Sequence, residues 1–223
     1  MKILDLFSCC GGAGKGLSDN GNNDVVGVDI TNNHEYPFIF IHSDVFELPM
    51  SFFQHFDLIW ASPPCQHYLP LNKWRGNEYP DLVGKTRELL KKTRIPYIIE
   101  NVPGAPIRQD LLLCGEMFND LRIIRHRIFE FGNGFKKPYK LPHKRHKDTF
   151  IENNVKKSRY ACVAGHGGNS YSFTLTDWQK AMGIDWITNK EHLAQAIPPA
   201  YANYIITNKV EHVKRLEDFL IQT

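Results

Sequence analysis

Five short apolar runs set the limits on how this chain can fold: "KILDLF" (2–7), "DVVGVDI" (24–30), "FIFIHSD" (38–44), "FDLIWASPP" (56–64) and "PYIIENVPG" (96–104). Each is bounded by turn signals, the pattern of a buried parallel strand. Between the last two, "PDLVGKTRELLKKTR" (80–94) sets Leu82, Leu89 and Leu90 among charges, as an amphipathic helix does. Strands alternating with helices predict an α/β fold with a doubly wound, mostly parallel sheet. Ligands of such sheets bind beyond the carboxyl ends of the strands. "IIRHRIFEFG" (123–132) adds strand material, and after a basic segment the chain returns to helices at 175–183 and 198–220.

The length, 223 residues, suits one α/β domain with a small insertion. No apolar run approaches the ~18–20 residues of a membrane span, so no membrane partner is expected. "MKILDLFSCC" enters a strand directly and offers no cleavable signal, which points to the cytoplasm. The five cysteines, Cys9, Cys10, Cys65, Cys114 and Cys162, include no C-x-x-C pair. Neither a disulfide framework nor a metal site is expected from them. Net charge is only +3, but positive charge gathers between Lys136 and Arg159, where Lys136, Lys137, Lys140, Lys144, Arg145, Lys147, Lys156, Lys157 and Arg159 face only Asp148 and Glu152. That is either a solvated loop or a surface for a polyanion.

The first run leads into "DLFSCCGGAGKGL" (5–17), a strand, a glycine cluster and the start of a helix. A glycine turn of this kind lets backbone N–H groups come close to a ligand. It is not a P-loop: Cys9 stands at the first required glycine and Gly16 at the required hydroxyl. Nor is it a dinucleotide fingerprint, since Leu17 stands where the third glycine belongs. Asp29, at the end of the second run, is placed to bind ribose hydroxyls, and Asp44, after the third, an exocyclic amine of adenine. A nucleoside without a pyrophosphate requirement fits, and S-adenosylmethionine is such a ligand.

"SPPCQ" (62–66) follows the fourth strand on the ligand-binding edge, with two prolines stiffening the loop before Cys65. A lone cysteine is most often a packed small hydrophobe. Glu100, ending "YIIE", is an odd core residue, because carboxylates are seldom buried unpaired. Arg125 and Arg127 in "IRHRIF" could simply form an exposed, locally paired strand face. A thiol, a carboxyl and guanidinium groups around a nucleoside site nevertheless make a constellation.

These motifs, in this order, resemble the cytosine-C5 methyltransferase family over nearly the whole chain. "DLFSCCGGAGKGL" looks like its cofactor loop, "VGVDI" its ribose-binding strand end and "HSDVFEL" its adenine-contacting segment. "PPCQ" matches the catalytic loop, "ENV" the acid motif and "IIRHR" the paired-arginine motif, while "LTDWQKAMGI" and "QAIPPAYANYI" resemble the last two motifs. The resemblance implies a Rossmann-like fold dependent on S-adenosylmethionine, with S-adenosylhomocysteine as product. Residues 1–132 and 173–223 would form the catalytic domain and 133–172 a small target-recognition insert.

By that resemblance Cys65 adds to cytosine C6, Glu100 holds a proton at N3, Asn101 orients the loop, and Arg127, with Arg125, offsets charge at the base carbonyl. The cofactor would contact Leu6, Phe7, Ser8, Gly11, Gly12, Gly14, Asp29, Ile30, Asp44, Val45, Pro63, Gln195 and Ile197. Nucleic acid would meet Gln66, Lys136, Lys137, Lys144, Arg145, Arg159 and His166. The partner implied is DNA, double-stranded, with the target base flipped out and the protein acting as a monomer. Three alternatives stand beside this reading. A related subgroup methylates tRNA; Lys15 and Gln195, which depart from the family pattern as Cys9 and Ile123 also do, leave room for a modified methyl group; and a non-catalytic binder could keep the fold. The last would predict erosion of Cys65, Glu100 or Arg127, and all three are intact.

Overall fold

A computed structural model describes residues 1–68, 78–143, 146, 149–152, 155–158, 160–161, 163 and 173–208. Seven strands form one sheet: β1 (Lys2–Leu6), β2 (Asp24–Asp29), β3 (Ile39–His42), β4 (Leu58–Ala61), β5 (Tyr97–Asn101), β6 (Leu111–Leu113) and β7 (Arg127–Gly132), in the order β3-β2-β1-β4-β5-β7-β6. The first five run parallel to one another, and β7 runs antiparallel to both β5 and β6. The predicted doubly wound, mostly parallel sheet is therefore present.

Strand alternation decides what each face buries. Ile3, Leu58, Trp60, Ile98, Phe129 and Phe131 point to one apolar layer. It is completed from helices α1 (Gly12–Leu17), α4 (Leu175–Met182), α5 (Lys190–Gln195) and α6 (Pro199–Thr207). Leu4, Leu6, Ile59, Ala61, Tyr97 and Ile99 point to the other, with Phe53 of α2 (Met50–Phe53) and Leu90 of α3 (Val83–Thr93). Central strands buried on both faces read as continuous apolar runs, which is why β1, β4 and β5 were legible.

The structure corrects the third run. β3 is an edge strand, not a buried one, and its first residue Ile39 is 68% exposed. The "LLL" of β6 and the short helix α5 were not foreseen. The last helix is described only to Thr207; the remainder of the predicted 198–220 lies outside the described residues. Within the predicted insert, β8 (Thr149–Glu152) and β9 (Val155–Ser158) pair antiparallel as a separate two-stranded sheet. Ala161 returns to the main body, its N–H donating to the Arg122 carbonyl at 2.7 Å.

Candidate active site

β4 and β5 run side by side, so the loops that follow them open on the same sheet edge. After Ala61 the chain passes Ser62 and two prolines to Cys65, which is half-buried, and the Cys65 carbonyl then accepts Tyr68 N–H to start a short 3-10 turn at Gln66. Asn101, at the end of β5, is buried, and its Nδ2 donates to the Pro63 carbonyl at 3.0 Å. The side chain after the acid thus holds the loop that carries the thiol.

Glu100 precedes it on the opposite face of the strand, 5% exposed. Its Oε1 lies 2.8 Å from Arg127 Nε, an ion pair between adjacent antiparallel strands. Burial pushes the Glu100 carboxyl above the usual carboxylate range, although Arg127 and Arg125 pull the other way. A carboxyl held in that balance can keep a proton. Burial also raises the Cys65 thiol; Arg127 then lowers it, Glu100 raises it and Arg125 lowers it. The thiol therefore feels all three partners that the sequence proposed.

Arg125 and Arg127 are not an exposed strand face. Arg125 is 9% exposed and donates to the carbonyls of Val163 at 3.1 Å and Ala194 at 2.6 Å. Its guanidinium is pushed down to about 9 by burial and by Arg127 beside it. Tyr201 of α6 donates its hydroxyl to the Arg125 carbonyl at 2.7 Å. Arg125 thus joins the thiol site to the end of α5 and to the insert, whereas Arg127 faces the acid.

The cofactor candidates gather at the carboxyl ends of β1 and β2. Phe7 and Cys9 adopt positive φ, and the Cys9 N–H donates to Asp29 Oδ2 at 2.9 Å while Thr31 N–H donates to Oδ1 at 2.9 Å. Gly11, at φ 78°, could not bear a Cβ, which would lie 2.6 Å from Pro37 Cδ. A Cβ on Gly12 would lie 2.4 Å from the Ile197 carbonyl, which explains how the last motif returns to the first. These glycines thus give room first to the chain itself, and their backbone groups are what remain for a ligand.

Beyond the β2 end, Ile30 is 67% exposed although apolar, and the Ser8 hydroxyl is buried without a partner among the described residues. An apolar platform beside an unsatisfied hydroxyl and a carboxylate fits an adenosine-bearing cofactor. Asp44 uses Oδ1 to accept Phe46 N–H at 2.9 Å, so one oxygen remains for the exocyclic amine. Leu6 and Val45 are buried in the sheet's core, Gly14 packs inside, and Gln195 is exposed. A groove of about 670 Å³ lies elsewhere, lined by Lys15, Lys180, Trp186 and Asn203 among others.

Of the proposed nucleic-acid residues, Lys136 is exposed, and Lys137 is exposed but paired to Asp110 at 2.8 Å. Lys144, Arg145, Arg159 and His166 lie outside the described residues. The fold also gathers Cys114, His126, His143 and His146, a group that no C-x-x-C spacing in the sequence signals.

Residues 1–121 match the sequence profile of a family described as C-5 cytosine-specific DNA methylase. No curated protein sequence matches the chain. Among solved structures, a mutant of DNMT2 from Spodoptera frugiperda is similar at a TM-score of 0.62 and 16% identity, over 91% of this chain and 97% of that one. A prophage-encoded E. coli protein, named provisionally as a DNA modification methyltransferase, reaches only 0.39 at 21% identity, over 59% of this chain and 45% of that one. The first likeness supports the fold; the second is too loose to add to it. No helix among the described residues is long and apolar enough to cross a membrane. The profile match spans more than half of the residues, and on that ground the chain belongs to the C-5 cytosine-specific DNA methylase family, S-adenosylmethionine-dependent methyltransferases of cytosine C5.

Proposed function

We propose that the protein methylates C5 of cytosine in DNA, using Cys65 as nucleophile on a flipped-out base. The observation that carries this reading is the buried Glu100–Arg127 pair acting on the Cys65 thiol, with Asn101 fastening the thiol's loop to the acid's strand. Cys65 Sγ bonds to cytosine C6, which makes C5 enamine-like and able to attack a methyl group. Glu100, whose carboxyl burial shifts toward the protonated form, donates to N3 and so receives the charge that the addition creates. Arg127 faces the base carbonyl, and Arg125 holds the surrounding backbone. S-Adenosylmethionine supplies the electrophilic methyl group. Loss of the C5 proton to water then re-forms the C5–C6 double bond, breaks the Sγ–C6 bond and frees Cys65 as a thiolate.

DNA as substrate is supported by the family's description and by the basic residues between Lys136 and Arg159. Phosphate contacts there make binding fall steeply with salt; flat affinity between about 50 and 200 mM would argue against them. The deciding assay is mass spectrometry of nucleosides from DNA and, separately, tRNA incubated with the protein and S-adenosylmethionine. 5-Methylcytosine is expected in DNA, reduced more than ~10³-fold by Cys65→Ser. Methylation of tRNA alone would replace the substrate, and methylation that survives Cys65→Ser would end the mechanism.

A further inference from the structure

Four side chains that the methyl-transfer reaction does not use converge beside it. Cys114 follows β6 and His126 precedes β7, and the pairing of Leu113 with Arg127 sets them side by side. His143 and His146 come from the start of the predicted insert. His126 Nε2 lies 3.3 Å from His143 Nε2 and 3.1 Å from His146 Nε2, and Cys114 Sγ lies 3.8 Å from His146 Nε2. The four ligand atoms all fall within 4.8 Å of one another.

Hydrogen bonding does not account for this. A neutral imidazole Nε2 has either one proton or one lone pair, so His126 Nε2 can satisfy one histidine neighbour but not both. A tetrahedral zinc, with Zn–N of about 2.0–2.1 Å and Zn–S of about 2.3 Å, separates its ligand atoms by about 3.3 Å between nitrogens and about 3.6 Å between sulfur and nitrogen. These three contacts match those edges to within a few tenths of an ångström. Cys114 is fully buried, and backbone N–H groups of Glu116 and Arg125 are directed at its sulfur. The Glu116 carboxylate, 3.5 Å from His143 Nε2, adds negative charge at the edge.

We infer that Cys114, His126, His143 and His146 bind one zinc ion in a closed, structural Cys-His₃ site. Thiolate and imidazole donors at tetrahedral spacing select zinc over the hard cations. With four protein ligands no position is left open for a reactant. The site's consequence lies in its placement: His126 sits between Arg125 and Arg127, so the metal fixes the turn that presents both guanidinium groups. It also pins the start of the 133–172 segment to the β6–β7 edge. A second group, Cys10, Glu35 and His192, is explained without metal. Cys10 Sγ donates to Asn33 Oδ1 at 3.2 Å, His192 Nδ1 lies 2.9 Å from Glu35 Oε2, and Thr188 holds Glu35 Oε1 at 2.6 Å.

The test is elemental analysis of the full chain, made with a histidine-free tag, supplied with zinc and then desalted. About one zinc per chain is expected, dropping below about a tenth in Cys114→Ser and His146→Ala and unchanged in Cys10→Ser. Cobalt exchanged into the wild-type protein gives a readout that does not depend on any variant folding. Intense visible bands of tetrahedral cobalt and a thiolate-to-cobalt charge-transfer band are expected. Folded wild-type protein that takes up neither metal would overturn the site, as would zinc that stays in Cys114→Ser or leaves with Cys10→Ser.

Discussion

Glu100 and Glu130 sit on adjacent strands one register step apart, and both are buried, yet their surroundings pull them in opposite directions. Ile99 pairs with Glu130 and Glu100 with Phe129, so the two carboxyls point to opposite faces of the sheet. Glu130 faces α3, where Arg87 Nε and one of its terminal nitrogens each lie 2.8 Å away and the Arg108 N–H donates at 2.9 Å. Burial would raise its pKa, but the Arg87 hydrogen bonds and the Arg108 N–H outweigh that and hold it below the usual range. Glu100 has one guanidinium contact, and there burial wins. A forked arginine plus a backbone donor makes a permanent anion. A single ion pair in the same kind of burial leaves a carboxyl that can hold and release a proton.

The sharpest way to break this comparison is to neutralise each acid in turn. Glu100→Gln should lower methyl transfer by about 10²–10⁴-fold, the usual range for a general acid. Its thermal stability should not fall, because the native site already disfavours the charge. A clear drop in melting temperature would mean that Glu100 is a structural anion like its neighbour. Glu130→Gln should do the reverse: a loss of about 3 kcal/mol, as expected when one partner of a buried pair is removed, with turnover of the folded enzyme unchanged.

Acid titration separates the two further. A carboxyl with a lowered native pKa contributes stability above its unfolded value and loses it as pH falls through the native value. Glu130→Gln should therefore flatten the decline in stability below about pH 4.5, checked by denaturant unfolding. Glu100, with a raised pKa, favours the native state only at low pH, and that contribution is lost as pH rises through its native value. In kinetics, protonated Glu100 declines with pH while Cys65 thiolate increases. Wild-type rates should level off above the Glu100 pKa, whereas residual activity of Glu100→Gln should keep rising toward the raised Cys65 pKa. The smallest effect is expected from Asn101→Ala, which frees the Pro63 carbonyl: about 1 kcal/mol of stability, with a larger loss in kcat than in KM.

Much of this was legible along the chain. Strands β1, β4 and β5 announce themselves because burial on both faces makes them continuously apolar, and PPCQ, ENV and R-x-R are local strings whose order alone suggests a reaction. β3 is indistinguishable from a buried strand in the sequence because an edge strand uses similar apolar residues without needing to bury them, as Ile39 illustrates. Glu130 carries no signal in the sequence, since nothing adjacent to it in the chain marks Arg87 as its partner.

What the amino-acid order determined by itself was the alternation of strand and helix and the residue types at each strand end, both of which are short-range properties. The tertiary structure alone decided which carboxyl is shifted up and which down, because a pKa depends on charges and desolvation brought from about forty residues away. It also decided that Cys114 meets His126, His143 and His146, since only strand pairing across β6 and β7, and a chain that doubles back, bring three separate stretches of sequence around one point.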